Sequence, residues 1–230
     1  MIQAKNCSIC KIPIEENYCG RCGQKISGIP TSTISLIRDF IANFFSLERS
    51  GLATILKTIS NPKSIVSNYY DGNKNYYASP GKILLYGIAV VALHIHFVDK
   101  KVMGITLEMP NINAQYLFWI ILYPFLLLIS YITFIRTEKA FSKHLISITY
   151  VASALFIVLT ILNDSITLIW GDKLGIWAFV LFVSLIFVWN SRVFTSKNKY
   201  LYLIVNTTIQ ITIFIGLVSL LVMATSHLNG

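Results

Sequence analysis

Four cysteines near the N-terminus have the type and spacing of a metal site. Cys7 and Cys10 are separated by two residues, Cys19 and Cys22 likewise, and eight residues lie between the pairs. Two Cys-x-x-Cys turns suit a tetrahedral zinc ion, because each turn places two thiolates on one edge of the metal. A segment this short cannot build its own core, so metal binding would supply its folding free energy. The pattern predicts a zinc ribbon over residues 1–28, with all four cysteines as ligands.

Two other chemistries of paired cysteines stay open. Disulfides are disfavoured in a reducing cytosol, and a redox-active Cys-x-x-Cys normally lies in a βαβ context that this sequence lacks. Residues 1–12 contain two lysines and no long apolar core. We therefore expect no cleavable signal peptide and a cytosolic N-terminus.

The composition is that of a membrane protein. Hydrophobic residues make up 55% of the 230 residues and charged residues only 13%, and the mean hydropathy is +0.65. All three values lie outside the usual range of a soluble domain. The formal charge of +9 would suggest nucleic acid in a soluble chain. In a polytopic protein it follows from lysine and arginine in the cytoplasmic loops.

Five apolar runs after residue 80 predict five transmembrane helices, at 82–98, 116–135, 145–169, 174–194 and 200–225. If alternate segments lie on opposite sides, sixteen of the 19 lysines and arginines fall on the N-terminal side and three on the other. The positive-inside rule then gives a cytosolic N-terminus and an outer C-terminus. The expected fold is an all-α polytopic membrane protein: a five-helix transmembrane bundle over 81–230 with a small N-terminal zinc ribbon.

Amphipathic helices are expected over residues 29–80, at the cytoplasmic membrane face. Apolar spacing predicts one over 31–46 and one over 51–60, the second with Leu52, Ile55, Leu56 and Ile59 inward. A further turn or two should bury Ile65, Val66, Tyr69 and Tyr70 before Asp71 and Gly72 end it. Tyrosines just before the first span favour contact with the membrane interface, and a small helical domain clear of the lipid is the alternative.

A set of cysteine, glycine, proline and aromatic positions is spread over the first eighty residues. These are Cys7, Cys10, Cys19, Cys22, Gly23, Gln24, Gly51, Leu52, Thr54, Leu56, Pro62, Tyr70, Gly72, Lys74, Tyr77 and Pro80. In these residues the chain resembles a family of small bacterial membrane proteins catalogued only as a domain of unknown function, whose members carry an N-terminal zinc ribbon, a helical segment and several transmembrane helices. The resemblance implies this architecture and the bacterial inner membrane, and it implies no activity.

Five polar residues in or near the apolar runs are candidates for a polar path: His94, His96, Asp164, Asn206 and Gln210. Ionisable groups within a membrane usually face a bundle interior and mark a site. Asp164 belongs either to the outer part of the third span or to the start of an outer loop. The two histidines should point to different faces of a helix, so joint metal binding would need an irregular backbone, and we expect them to be interfacial. The polar patch of the last span either bonds helices together or lines a path for ions or a small solute.

No Walker A sequence, nucleophile elbow or His-Glu-x-x-His is found, so we expect no enzyme. The leading interpretation is an integral membrane adaptor whose zinc ribbon recruits a cytosolic protein. A small transporter or channel component is the alternative. Nucleic-acid capture by Lys5, Lys11, Arg21 and Lys25 ranks lower, because acidic residues partly offset them and aromatic residues are scarce there. The expected surroundings are the lipid bilayer, and a homo-oligomer stays open.

The charge asymmetry makes a prediction about topology. A reporter that is active only outside the membrane should be active when fused after Gly230 and silent when fused at Met1, because lysine and arginine hold the N-terminal side in the cytosol. Reporter activity at both termini would instead mean an even number of spans.

Overall fold

A computed structural model of the chain describes residues 5–7, 10, 12–14, 19, 21, 33–34, 51–72, 77–98, 101–105, 108–109, 112–113, 115–171, 175–195 and 200–228. Within these residues the fold is predominantly helical, with two short antiparallel hairpins. The predicted helix over 31–46 lies outside the described residues except for Thr33 and Ile34, which are helical. The elements are β1 Lys5–Asn6, β2 Pro13–Ile14, α1 Gly51–Ser60, α2 Pro62–Tyr70, α3 Pro80–Phe97, β3 Glu108–Met109, β4 Ile112–Asn113, α4 Gln115–Phe134, α5 Phe141–Trp170, α6 Ile176–Phe194 and α7 Tyr200–Leu228.

Four of these helices are long and apolar enough to cross a membrane. They are α3, α5, α6 and the segment Tyr200–Leu221 of α7. Helix α4 has 20 residues, and its segment Leu122–Phe134 is a shorter apolar helix. Each of the five apolar runs predicted from the sequence therefore lies on a helix. Pro124 lies inside α4, and the helix continues through it.

Local sequence signals set where α2 and α3 begin. The Asn61 side chain accepts a hydrogen bond from the Ser64 amide at 3.2 Å, and Pro62 follows it as the first helical residue. Ser79 caps α3 in the same way, ahead of Pro80. Proline suits this position, because the first helical residue needs no amide donor and has the φ that proline fixes.

The inward face of α1 differs from the prediction. Leu52 and Leu56 are 70% and 58% exposed, whereas Thr54 and Thr58 are fully buried. The Thr54 hydroxyl accepts the Ala78 amide at 2.9 Å, and the Thr58 hydroxyl donates to the Thr54 carbonyl at 2.8 Å. The threonine face is turned inward because it supplies an acceptor for a buried amide that leucine could not satisfy. The prediction that Leu52 and Leu56 face inward is therefore wrong.

Helix α5 is the centre of the bundle. It contacts α1, α2, α3, α4 and α6, and 72% of its most apolar segment is buried. Its Tyr150 hydroxyl donates to the Ala78 carbonyl at 2.7 Å, and the Tyr69 ring of α2 meets the Tyr150 ring edge-on. On α6, the Trp189 indole donates to the Ile59 carbonyl at 2.8 Å. The α1–α2 hairpin thus contacts α5 through the Tyr69 and Tyr150 rings and is bonded to α6 by Trp189, while Tyr150 also bonds the segment just before α3.

The Tyr150 contact leads to a stability prediction. Tyr150→Phe leaves the buried Ala78 carbonyl without that donor, so we expect a loss of about 1–3 kcal/mol in the free energy of unfolding. Thr212→Val is a matched control, because the Thr212 hydroxyl is exposed and bonds only its own helix at the Thr208 carbonyl. Denaturant unfolding of both variants in detergent measures the difference. Equal stability of the two variants would contradict this role for Tyr150.

Candidate functional site

Three cysteine sulfurs lie together in the N-terminal head. The Sγ atoms of Cys7, Cys10 and Cys19 are all within 4.8 Å of one another, and they could hold a metal ion. The β1–β2 hairpin positions the first turn, because the Cys7 amide donates to the Ile12 carbonyl at 2.8 Å. The Cys10 amide in turn points at the Cys7 sulfur, 3.4 Å away. Cys22 lies outside the described residues.

This arrangement fits a thiolate metal site. A tetrahedral zinc ion with bonds of about 2.3 Å holds its sulfurs about 3.8 Å apart, and the three sulfurs lie within 4.8 Å of one another. An amide that points at a sulfur stabilises the thiolate form, which is the form that binds metal. The three described cysteines form no disulfide with one another. Cys7 and Cys19 are buried, as the ligands of a closed structural site would be.

A buried histidine and a carboxylate meet near the C-terminal ends of α3 and α5. His94 Nδ1 lies 2.7 Å from Asp164 Oδ1, and His94 Nε2 lies 2.8 Å from the Lys101 carbonyl oxygen. Asp164 is not in a loop, since α5 continues to Trp170, and that alternative is wrong. His96 is exposed on another face of α3, against the Phe97 ring, as the helical spacing predicted. The structure therefore joins His94 to Asp164 and leaves His96 apart.

A tight turn at residues 101–105, here called the outer turn after the predicted topology, follows α3. Val102 and Ile105 exchange backbone hydrogen bonds of 3.1 and 3.0 Å, and both central residues have positive φ, 50° at Met103 and 76° at Gly104. A Cβ at residue 104 would clash with the backbone of Gly175, so only glycine fits. Met103 is 2% exposed, and its burial offsets the cost of its unusual φ.

A second group of buried polar side chains, here called the inner polar cluster, joins α4, α5, α6 and α7. Asn190 of α6 is at its centre. The Asn190 amide nitrogen donates to the Ser130 hydroxyl at 3.0 Å and to Gln210 Oε1 at 2.8 Å, and its oxygen accepts from Ser147 at 2.9 Å. The cluster consists of Ser130, His144, Ser147, Asn190, Ser191 and Gln210, all fully buried.

The hydrogen-bond partners define the donors and acceptors of this cluster. His144 Nε2 faces the Glu138 carbonyl oxygen at 3.1 Å, so it carries the proton, and Nδ1 accepts from the Ser130 hydroxyl at 2.9 Å. At the other end, Gln210 Nε2 donates to the Ser191 hydroxyl at 2.7 Å. A neutral His144 therefore satisfies every bond in the chain from Glu138 to Ser191.

The polar patch of α7 is divided between two faces. Gln210 is buried in the inner polar cluster, and Asn206 donates to the Thr195 hydroxyl at the end of α6 at 3.2 Å. Thr208 and Thr212 lie on exposed faces and bond carbonyls of their own helix. These polar groups thus bond to α6 or to their own helix.

The two buried polar groups lie far apart. Asp164 follows Ser147 by 17 positions on α5, which is about 25 Å along a helix. Much of the buried surface of α5 between them is apolar, including Ile148, Val151, Leu155 and Phe156. Of the five candidates, His94 and Asp164 thus form an outer pair and His96 stays apart from it. Gln210 belongs to the inner polar cluster, and Asn206 bonds Thr195.

Glu138 and Lys143 form an ion pair next to His144. Lys143 Nζ is 2.7 Å from Glu138 Oε2 and stands over the Tyr70 ring at 5.2 Å. Burial raises the pKa of Glu138, but hydrogen bonds from Lys143 and the Ala140 amide outweigh it and leave the pKa below its ordinary value. The stabilising contribution of Glu138 is thus present above the ordinary carboxyl range and lost as the pH falls through this lowered pKa.

Most members of the inner polar cluster were not identified from the sequence. Ser130, His144, Ser147, Asn190 and Ser191 are single polar residues in or beside apolar runs. Their positions on the buried faces of neighbouring helices could have drawn attention to them, since polar residues in spans commonly bond across helices. Only Gln210 was among the candidates.

The central position of Asn190 makes a second stability prediction. Asn190→Leu removes one partner from each of three buried groups, so we expect a loss of about 1–3 kcal/mol or more. Thr208→Val is the control, because its hydroxyl is exposed and bonds only its own helix. Adding Gln210→Leu to Asn190→Leu should cost less than the sum of the single changes, because both belong to one network. Additive costs in denaturant unfolding would show that the two amides act independently.

Comparison of the chain with protein-family models, curated proteins and solved structures finds no match. The resemblance to a family of zinc-ribbon membrane proteins therefore stays a prediction.

Proposed function

We propose that the chain is an integral membrane adaptor whose zinc ribbon recruits a cytosolic protein. In this proposal Cys7, Cys10, Cys19 and Cys22 bind one zinc ion in the cytosol. Five helices, α3 to α7, anchor the head in the bacterial inner membrane, with the N-terminus inside. Helix α4 counts as the fifth span because its 20 residues extend about 30 Å, the thickness of the hydrocarbon core.

The mutual pairing of the inner polar cluster is the observation that carries this proposal. Asn190 and Gln210 bond each other, and the neighbouring serines and histidine take up the remaining donors and acceptors. Polar groups that satisfy one another hold helices together, whereas groups that line a path must be free to bind a passing solute. The cysteine cluster in the N-terminal head is then the part of the chain best suited to recognise a partner protein.

A transporter or channel component is the second candidate, and the outer pair favours it. His94 and Asp164 are ionisable groups inside the bundle, and such groups often mark ion pathways. One turn further in, the Thr160 hydroxyl is buried, and among the described residues it has no hydrogen-bond partner. A passing ion or water could supply that partner.

Two further partners rank lower. Nucleic acid is disfavoured because the basic residues of the ribbon are few and partly offset by Glu15 and Glu16. A homo-oligomer is compatible with α7, where only 6% of the most apolar segment is buried within one copy. Lipid would cover the same surface equally well.

Exchanging the ligands tests the proposal. Cys7→Ser with Cys22→Ser should release zinc and unfold the ribbon while the bundle still inserts, because the metal supplies the folding free energy of the head. Ser8→Ala, between two of the cysteines, is the matched control. The measurements are bound zinc, expected at about one per chain, membrane level, and cross-linking of a cytosolic protein from a photoreactive group at Arg21.

The adaptor predicts cross-linking in the wild type and in Ser8→Ala and its loss in the double variant. Cross-linking that survives loss of zinc would contradict it, as would a purified chain that holds two disulfides and no metal. A transporter predicts a different pattern. Asp164→Asn and Gln210→Leu would then abolish transport of the solute without lowering the membrane level, and removal of residues 1–28 would leave transport intact.

A further inference from the structure

The His94–Asp164 contact holds a proton between two acceptors. The Lys101 carbonyl oxygen can only accept, so His94 Nε2 donates to it. Nδ1 then faces Asp164 Oδ1 at 2.7 Å, and this contact also needs a proton. The proton sits either on an imidazolium next to a carboxylate or on a carboxylic acid that donates to a neutral ring. In both arrangements the pair is neutral overall and carries one shared proton.

Removing the shared proton leaves the ring with one N–H for two acceptors. If the remaining proton stays on Nε2, the Nδ1 lone pair faces a carboxylate oxygen, and if it moves to Nδ1, the Nε2 lone pair faces the Lys101 carbonyl oxygen. Either contact is then repulsive in a setting of low dielectric constant. His94 has a side chain only 1% exposed, so water cannot screen this repulsion from the ring side, while Asp164 is 17% exposed and gives the proton a route. The ring therefore keeps both contacts only while the shared proton is bound.

The outer turn depends on the position of His94. Lys101 is the first residue of that turn, and its carbonyl is bound by the same ring that meets Asp164. Met103 adopts a positive φ that is unfavourable for a residue other than glycine, and Gly104 fits closely against Gly175 at the start of α6. If His94 moves away from Asp164, the turn loses the hydrogen bond that ties it to α3 and α5.

We propose that the His94–Asp164 pair is a proton-binding site and that its proton latches the outer turn onto the bundle. The bound proton joins α3 to α5 through the pair, and through Lys101 it holds Val102 and Met103 in the core. Loss of the proton on the alkaline side leaves one of the ring's two acceptors without a donor and releases the turn. This site is distinct from the zinc ribbon and does not depend on the proposed recruitment of a partner.

Two other ionisable side chains near the pair belong to the described part of the chain, Lys101 and His96, and both are exposed. Lys101 contributes its carbonyl, and its side chain is exposed. His96 lies on another face of α3 and is exposed. The segments 99–100 and 172–174 lie outside the described residues. The outer turn itself contributes no other ionisable side chain, since residues 102–105 are Val, Met, Gly and Ile.

Hydrogen exchange at the Val102 and Ile105 amides of the full chain in nanodiscs tests the latch over a series from about pH 5 to pH 8. Protection is corrected for the intrinsic pH dependence with an unstructured peptide of the same sequence. We expect protection at the lower pH and its loss as the pH rises, by up to tenfold per pH unit once the shared proton is released. ¹⁵N signals of the histidine rings, assigned with His94→Gln, should change over the same pH range.

Two variants separate a proton latch from ordinary packing. In Asp164→Asn the amide N–H donates to His94 Nδ1, so a neutral ring keeps its bond to Lys101 and the turn should stay protected at every pH. His96→Gln is the matched control on the same helix and should keep the wild-type pH dependence. The proposal is overturned if wild-type protection does not change with pH, or if Asp164→Asn shows the same pH dependence as the wild type.

Discussion

A hydrocarbon interior offers buried polar groups no water, so each must find its partner within the protein. The structure meets this constraint at Asn190, whose amide bonds Ser130, Ser147 and Gln210. These three residues lie on α4, α5 and α7, and Asn190 lies on α6. One side chain thus sets the relative rotation of four helices, because turning any of them would leave a donor or an acceptor unpaired.

Much of the helical framework could be predicted from the sequence. The long apolar runs fall on helices because an unbroken stretch of such residues is stable in few other arrangements, and Asn61–Pro62 and Ser79–Pro80 set two helix starts through local capping. Helix α1 has the predicted bounds, Gly51–Ser60. These features depend on neighbours in sequence, which a pattern can reveal.

Features that depend on distant residues could not be predicted in this way. Leu52 and Leu56 were expected inside. Thr54 lies on the buried face of α1 instead, because its hydroxyl accepts the buried amide of Ala78, 24 residues away. Asp164 could belong to a loop or to a helix until its partner on α3 was known, 70 residues earlier in the chain. The spacing of residues along one helix does not indicate which polar group of another helix will lie against it.

The two ends of the bundle are held by different kinds of contact. In the inner polar cluster, neutral donors and acceptors are matched from Glu138 to Ser191, with Asn190 donating in both directions and His144 contributing as an uncharged ring. In the outer pair both ring nitrogens of His94 face acceptors. The pair therefore needs one proton more than a carboxylate and a neutral imidazole have together. In the proposed latch, the shared proton can leave the outer pair while the neutral network keeps its bonds over a wide pH range, so the outer end changes state without unfolding the rest. Helix α5 carries a member of each group, Asp164 and Ser147, and thus connects the two ends.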